Sequence, residues 1–337
     1  MDHPPAPNIL TYDSSSIVFA LDWSSRQDKG VRVAVGSFVE GVSNTVEILR
    51  VTPAGLILDE KETFGIEYPA TQVGFIPDRF CNKPDLLATS GDAVRLWKIS
   101  DAGTTLELVL NDPKNTSKNF SAVTCFDWSE INVKVLAAGS SAGRLLLWDT
   151  ESGRLQGTMV GHEDEILDCQ WAANDVIVSS SGDGSIRMYD LRDKDHCTVL
   201  YETPRRTPVP SFCWNKLDPK YLAFSIEKSR LVSVLDVRFP TEPVILLDGH
   251  MGNCTALGWS PHREGYLCSV GDDCHALIWD MGKVNSEEDS KPNREAVDAS
   301  PILAYNAQAE INAMAWNPID PDWIAICARN RTRVLRI

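Results

Sequence analysis

Leu267-Cys268-Ser269-Val270-Gly271-Asp272-Asp273-Cys274-His275-Ala276-Leu277-Ile278-Trp279-Asp280 places two short apolar runs on either side of a polar turn. Runs of this length around a Gly-Asp turn, the second ending on an aromatic, read as the two strands of an antiparallel hairpin. The unit recurs clearly at Leu86–Lys98, Leu136–Asp149 and Ile177–Asp190, and in degenerate form at Val31–Leu49, Leu222–Asp236 and Ile324–Ile337. That makes seven copies. Between them runs a second series, short strands closing on Trp23, Trp128, Trp171, Trp214, Trp259 and Trp316, with a weaker copy at Val73–Ile76. This series also numbers seven, in strict alternation with the first.

The spacing fixes the architecture. Trp128, Trp171, Trp214 and Trp259 lie 43, 43 and 45 residues apart, the length of a four-stranded propeller blade. The ends complete the pattern. The last blade stops after its third strand at Ile337, while Ile9-Leu10-Thr11-Tyr12 matches Ile302-Leu303-Ala304-Tyr305 at an offset of 293. Residues 301–306 precede blade seven as the outer strand of blade six. By the same register, residues 8–12 form the outer strand of blade seven and close the ring, covering an edge that would otherwise template aggregation. The expected fold is all-β, a single seven-bladed β-propeller of the WD-repeat kind over residues 1–337. Two polar stretches, Asn111–Asn119 and the acidic Lys283–Ser300, read as mobile surface insertions.

Composition narrows the function. Forty-seven acidic against 32 basic residues give a net charge of −15, which argues against a general nucleic-acid binder and favours partners with basic segments. The apolar runs are only strand-length, so no membrane span is expected. Nine cysteines without a CxxC pair, mostly within apolar runs, read as buried thiols in a reducing compartment.

Two blades carry a His, a Ser, an Asp and an aromatic at matching spacing: His162, Ser179, Asp183 and Tyr189 in blade four, and His250, Ser269, Asp273 and Trp279 in blade six. A His–Asp–Ser set invites a hydrolase reading. Recurrence at the repeat spacing, an aromatic ending each set, and the lack of a G-x-S-x-G elbow make it a structural hydrogen-bond network instead. Blade three has Ala142 where the turn Asp would stand. No phosphate-binding loop, dinucleotide fingerprint or H-E-x-x-H motif occurs, and Cys274-His275 has no second ligand pair, so no cofactor, metal site or catalytic residue is expected.

Several segments go beyond a generic repeat: Leu86–Asp92, Cys213–Lys216 with Asp218-Pro219, Ala276–Asp280, Pro301–Tyr305 and Pro321–Cys327. Together they resemble the WD-repeat family of plant Transparent Testa Glabra and animal DDB-cullin-associated factor seven, from Ile9 to Ile337. The resemblance implies a non-enzymatic scaffold of cytoplasm and nucleus. Its implied partners are protein kinases of the DYRK and HIPK type, or bHLH and MYB transcription factors. Tyr189-Asp190-Leu191-Arg192 and Leu235-Asp236-Val237-Arg238 also resemble the WDxR box of substrate receptors for the cullin-four RING ubiquitin ligase. That likeness implies that Arg192 and Arg238 project from the blade edge toward the ligase adaptor. The competing reading is that Asp-x-Arg ends a strand with an exposed charge.

Overall fold

Short apolar runs, broken every few residues by Gly, Asn or Asp turns, suit short antiparallel strands, and the middle strands are buried along nearly their whole length. The computed structural model describes residues 8–112, 121–193, 196–283, 297–298 and 300–337. They form seven sheets, one per expected blade. Blade four is representative: Ile166–Ala173, Val176–Ser181, Ser185–Asp190 and Cys197–Glu202 run antiparallel from the innermost strand outward.

A blade cannot bury its faces alone. Seven apolar clusters cover them, each built from two adjacent blades, including one that joins blade seven to blade one. The ring therefore has no gap. Ile9–Asp13 pairs antiparallel with Arg331–Arg336, from Ile9 opposite Leu335 to Asp13 opposite Arg331, and supplies the fourth strand of blade seven.

Side chains tie the innermost strands together where backbone ladders cannot. Backbone N–H groups of Phe75, Phe126, Trp171 and Phe212 donate to Asp22, Gln72, Asp127 and Asp168 of the preceding blade, at 2.8, 2.8, 2.7 and 3.3 Å. In the same direction, the indoles of Trp23, Trp171, Trp259 and Trp316 donate to the carbonyls of Ala315, Asp127, Cys213 and Gly258. Burial raises Asp22 and Asp168 to about 7 and Asp127 to about 6, against backbone hydrogen bonds that lower them.

The structure departs from expectation at two outer strands. Blade one splits its fourth strand, Gly55–Leu58 and Phe64–Ile66 both pairing with Asn44–Thr52. Within the Lys283–Ser300 insertion, Val297–Asp298 pairs in parallel with Ile245–Leu246 and adds a fifth strand to blade five, so the insertion is not wholly loop. Residues 284–296 and 299 of it, and 113–119 of the other insertion, lie outside the described residues. All nine cysteines are free thiols; six are buried, and Cys81, Cys197 and Cys274 are half-buried.

The closing strand yields a paired expectation. Leu10 is buried and Ile9 is exposed. Leu10→Ala should cost about 2–5 kcal/mol, and Ile9→Ala no more than about 0.5 kcal/mol. Chemical denaturation of the two variants checks this; equal costs would mean the strand is not docked as described.

Candidate functional site

The turns between second and third strands, and the loops entering each blade, share one face of the ring. Both His–Asp sets lie there. In blade six, Gly249 lets the loop pass close over Trp279, whose ring would lie 2.7 Å from an added Cβ. His250 then drops inward to 1 % exposure. Its Nδ1 lies 3.0 Å from Asp273 Oδ2 and its Nε2 lies 2.8 Å from Ser269 Oγ, which also accepts the Trp279 indole N–H at 2.8 Å. Only one proton arrangement satisfies every group. Trp279 donates to Ser269, Ser269 donates to Nε2 of a neutral imidazole, and Nδ1–H donates to the Asp273 carboxylate.

Asp273 also accepts the backbone N–H groups of Met251 and His275, so it holds both the loop and the turn. These bonds lower its pKa although burial alone would raise it. Burial keeps His250 below its usual value, opposed by the facing Asp273.

Blade four repeats the core of this chain. His162 Nδ1 lies 3.0 Å from Asp183 Oδ2, and Nε2 lies 2.7 Å from Ser179 Oγ. Asp183 is lowered to about 2 by bonds from Ser185 and the Glu163 N–H, which outweigh its burial. Tyr189 corrects the sequence reading. Its hydroxyl is buried without a hydrogen-bond partner, and burial pushes it up to about 12. Ser179 opposes that shift without meeting hydrogen-bond geometry. The phenol reaches past the point where an indole N–H would sit and stops against Gly161, 2.7 Å from an added Cβ there.

Two features escaped the sequence reading. Blade two keeps one leg of the network, the Trp97 indole donating to Thr89 Oγ1 at 3.0 Å. Its turn is shorter than that of blade six, which hid the match; pairing of Leu87 with Trp97 and of Leu267 with Trp279 puts Thr89 in the Ser269 slot. The second feature joins blades one and two on the opposite face. Arg32, fully buried, meets Glu62 at 3.0 Å and Asp85 at 2.8 Å, with its guanidinium 5.2 Å from the Phe75 ring centroid. Its partners lie 30 and 53 residues away, beyond any local spacing rule.

Arg192 and Arg238 each follow a third strand, so they emerge on the face opposite the His–Asp turns. In both, the Nε and Nη2 edge of the fork grips the Asp two residues earlier: Arg192 Nε lies 2.8 Å from Asp190 Oδ1, and Arg238 Nε lies 3.0 Å from Asp236 Oδ1. The arginines hold Asp190 and Asp236 below the usual carboxylate range, Asp190 at about 2. Side-chain exposures of 73 % and 59 % leave the guanidinium groups open to a partner. Phe239, largely exposed, sits beside Arg238. Cys274 and His275 form a turn in which His275 Nδ1 faces the carbonyl of Asp273, two residues earlier, at 2.8 Å.

The model of the WD domain, G-beta repeat, matches residues 153–190 and 241–280, the stretches around the two networks. The DDB1- and CUL4-associated factor 7 homolog of Dictyostelium discoideum is 36 % identical over 98 % of this chain and 98 % of its own length. A WD repeat-containing protein of Saccharomyces cerevisiae is 24 % identical over 99 % of this chain and 78 % of its own. The histone acetyltransferase type B subunit 2 of Candida glabrata is 22 % identical over 57 % of this chain and 46 % of its own.

The neutral imidazole sets the sign of a pH effect. A histidine depressed in the folded state contributes its stability in full above about pH 6.5 and loses it as the pH falls. The raised Asp22, Asp127 and Asp168 act in the opposite sense, so the informative quantity is a difference between proteins. His250→Ala should lower stability by about 2–3 kcal/mol at pH 8, and the gap should narrow by pH 5.5. Melting temperatures of both proteins at the two pH values check this; an unchanged melting temperature, or a constant gap, would remove the network assignment.

Proposed function

The chain belongs to the WD-repeat family of DDB1- and CUL4-associated factor 7, and from that premise we propose that it is a non-enzymatic scaffold for protein complexes. The observation that carries the reading is the state of the two constellations resembling a catalytic triad, of which that of blade six is the fuller. Ser269 Oγ is fully buried and already bonded to His250 and Trp279, so no substrate carbonyl can approach it. Such a ring does its work by holding loops rigid on two faces, where a few aromatic or Arg anchors supply most of the binding energy. The proposed clients are protein kinases of the DYRK and HIPK type and transcriptional regulators, met in cytoplasm and nucleus.

A second reading is favoured by the paired Arg forks. As a substrate receptor of a cullin-four RING ubiquitin ligase, the chain would present Arg192 and Arg238 to the ligase adaptor. The two lie on adjacent blades in the same clamped conformation, so little side-chain ordering remains to be done on binding.

One experiment separates the readings. Purified wild type and an Arg192→Ala/Arg238→Ala double variant are titrated with the purified ligase adaptor and with a DYRK-type kinase. The double variant should bind the adaptor at least tenfold more weakly and the kinase unchanged. Wild type that binds no kinase sinks the first reading, and wild type that binds no adaptor sinks the second.

A further inference from the structure

The closure seam between blades seven and one holds a cleft of about 260 Å³ lined mainly by Leu10, Trp23, Val51, Asn317 and Trp323, and nothing in the structure selects an occupant for it. The turn that joins blades four and five is more specific. It reads Thr203-Pro204-Arg205-Arg206-Thr207-Pro208, and the fold uses only part of that chemistry.

Thr203 is structural. It is buried, its N–H donates to Gly184 O at 2.9 Å, and its hydroxyl donates to Thr207 O at 2.7 Å. These bonds seat the turn on the blade-four hairpin so closely that a Cβ at Gly184 would lie 2.6 Å from Thr203 Oγ1. Val209 anchors the other end, fully buried, with its N–H donating to Ser181 O at 3.2 Å. Between the two anchors Pro204, Arg205 and Arg206 are exposed. Arg205 and Arg206 stand at φ 65° and 52°, in the left-handed region that strains any residue with a Cβ. Arg206 is held by Glu163 at 2.9 Å and Glu202 at 3.2 Å, whereas Arg205 enters no ion pair among the described residues.

Thr207 is unlike Thr203. Its backbone is extended, at φ −75° and ψ 132°, and its half-buried hydroxyl makes a single surface bond, to Pro204 O at 3.2 Å. Pro208 offers no N–H to an enzyme that binds the chain there, so such an enzyme must be built to accept proline. Two residues before Thr207, the unpaired Arg205 guanidinium is free to enter an acidic pocket. We propose that Thr207 is a phosphorylation site for a proline-directed protein kinase that selects Arg two residues before the acceptor. Thr203-Pro204 fails the same criteria, being buried and preceded at that spacing by Tyr201. Thr52-Pro53 has Arg50 at that spacing, but Asp59 and Glu62 hold Arg50, and Thr52 ends a strand paired with Gly55.

In the reaction the Thr207 oxygen bonds to the γ-phosphorus of ATP as the bond to the bridging oxygen breaks. ADP leaves, and the hydroxyl proton passes to the kinase base. Straightening Arg205–Pro208 into the kinase relieves both left-handed residues and breaks ion pairs that are exposed and weak. The phosphate then carries about −1.5 to −2 charges at pH 7. That cancels the two arginine charges of the turn and competes with Glu163 for Arg206. Glu163 directly follows His162, so the change reaches the loop entering blade four. None of this depends on which clients the ring holds.

The test incubates the full chain with Mg-ATP and a purified proline-directed kinase of that selectivity, and locates phosphate by intact mass and peptide mapping. Wild type should be modified at Thr207, with Thr52 and Thr203 unmodified, and Thr207→Val should lose that phosphate. Arg205→Ala and Pro208→Ala should each react about tenfold more slowly, with melting temperatures showing that both are folded. A synthetic peptide of residues 201–210 shows that the kinase is active on this sequence. No phosphate on Thr207 of the folded chain while the peptide is modified, or no phosphate on the peptide, would overturn the proposal. So would an unchanged rate in either slowed variant.

Discussion

Each blade has two apolar faces and can cover neither by itself. Stability therefore comes from the interfaces between blades, and in a ring there are as many interfaces as blades only if the ends meet. The apolar cluster uniting Leu10, Trp23, Val33 and Leu49 with Ala325, Cys327 and Val334 is the interface that chain connectivity does not supply. It exists because Ile9–Asp13 crosses to blade seven, and every other interface is held in a closed geometry by it. The inner edge poses a related problem. First strands have no backbone neighbour across the ring, so acidic and amide side chains capture N–H groups of the next blade, while indoles donate back to carbonyls of the preceding one. Direction around the ring is thus written into two residue types: these carboxylates point forward and these indoles backward.

The His–Asp networks stiffen this frame locally. In blade six the chain from Trp279 through Ser269 and His250 to Asp273 ends on a carboxylate that also holds two backbone N–H groups, fixing the entry loop to the turn. Blade four loses the aromatic donor and recruits Ser185 to Asp183 instead. Blade two keeps only the Trp97–Thr89 contact, and blades one and two are braced on the other face by Arg32 with Glu62 and Asp85. The networks are therefore interchangeable means to one end, and a blade lacking one is not a defective blade. That is the behaviour of structural elements. Catalytic groups would be tied to one place, with an open approach to the nucleophile.

The fold was readable because its determinants are local and periodic. A Trp closes six of the seven first strands, a Gly-Asp turn precedes the third strand in blades two, four and six, and the N-terminus copies the Ile302–Tyr305 pattern. What could not be read is what periodicity does not encode. Tyr189 occupies a Trp slot, but a phenol carries its hydrogen far from the position of an indole N–H, so equivalence in alignment is not equivalence in bonding. Arg32 finds its carboxylates from two other segments at distances no spacing rule anticipates. The cleft beside Asn317 arises from packing between blades that are last and first in the chain, and no single stretch of sequence contains it.

The two faces of the ring differ in what they leave available. On the turn face, the histidines and turn aspartates of blades four and six are buried and bonded to one another. On the opposite face, charged and apolar groups remain open: clamped Arg forks at blades four and five, exposed Phe239 beside one of them, and an apolar cleft at blades seven and one. The forks and the cleft differ in kind as well as place. A guanidinium held by its own aspartate offers a pre-set edge to an acceptor, whereas the cleft offers a mainly apolar wall. A surface with two unlike, separated and preorganised features can engage two partners at once without either displacing the other. Simultaneous engagement of that kind is the physical basis on which a scaffold acts: it raises the effective concentration of one client for another.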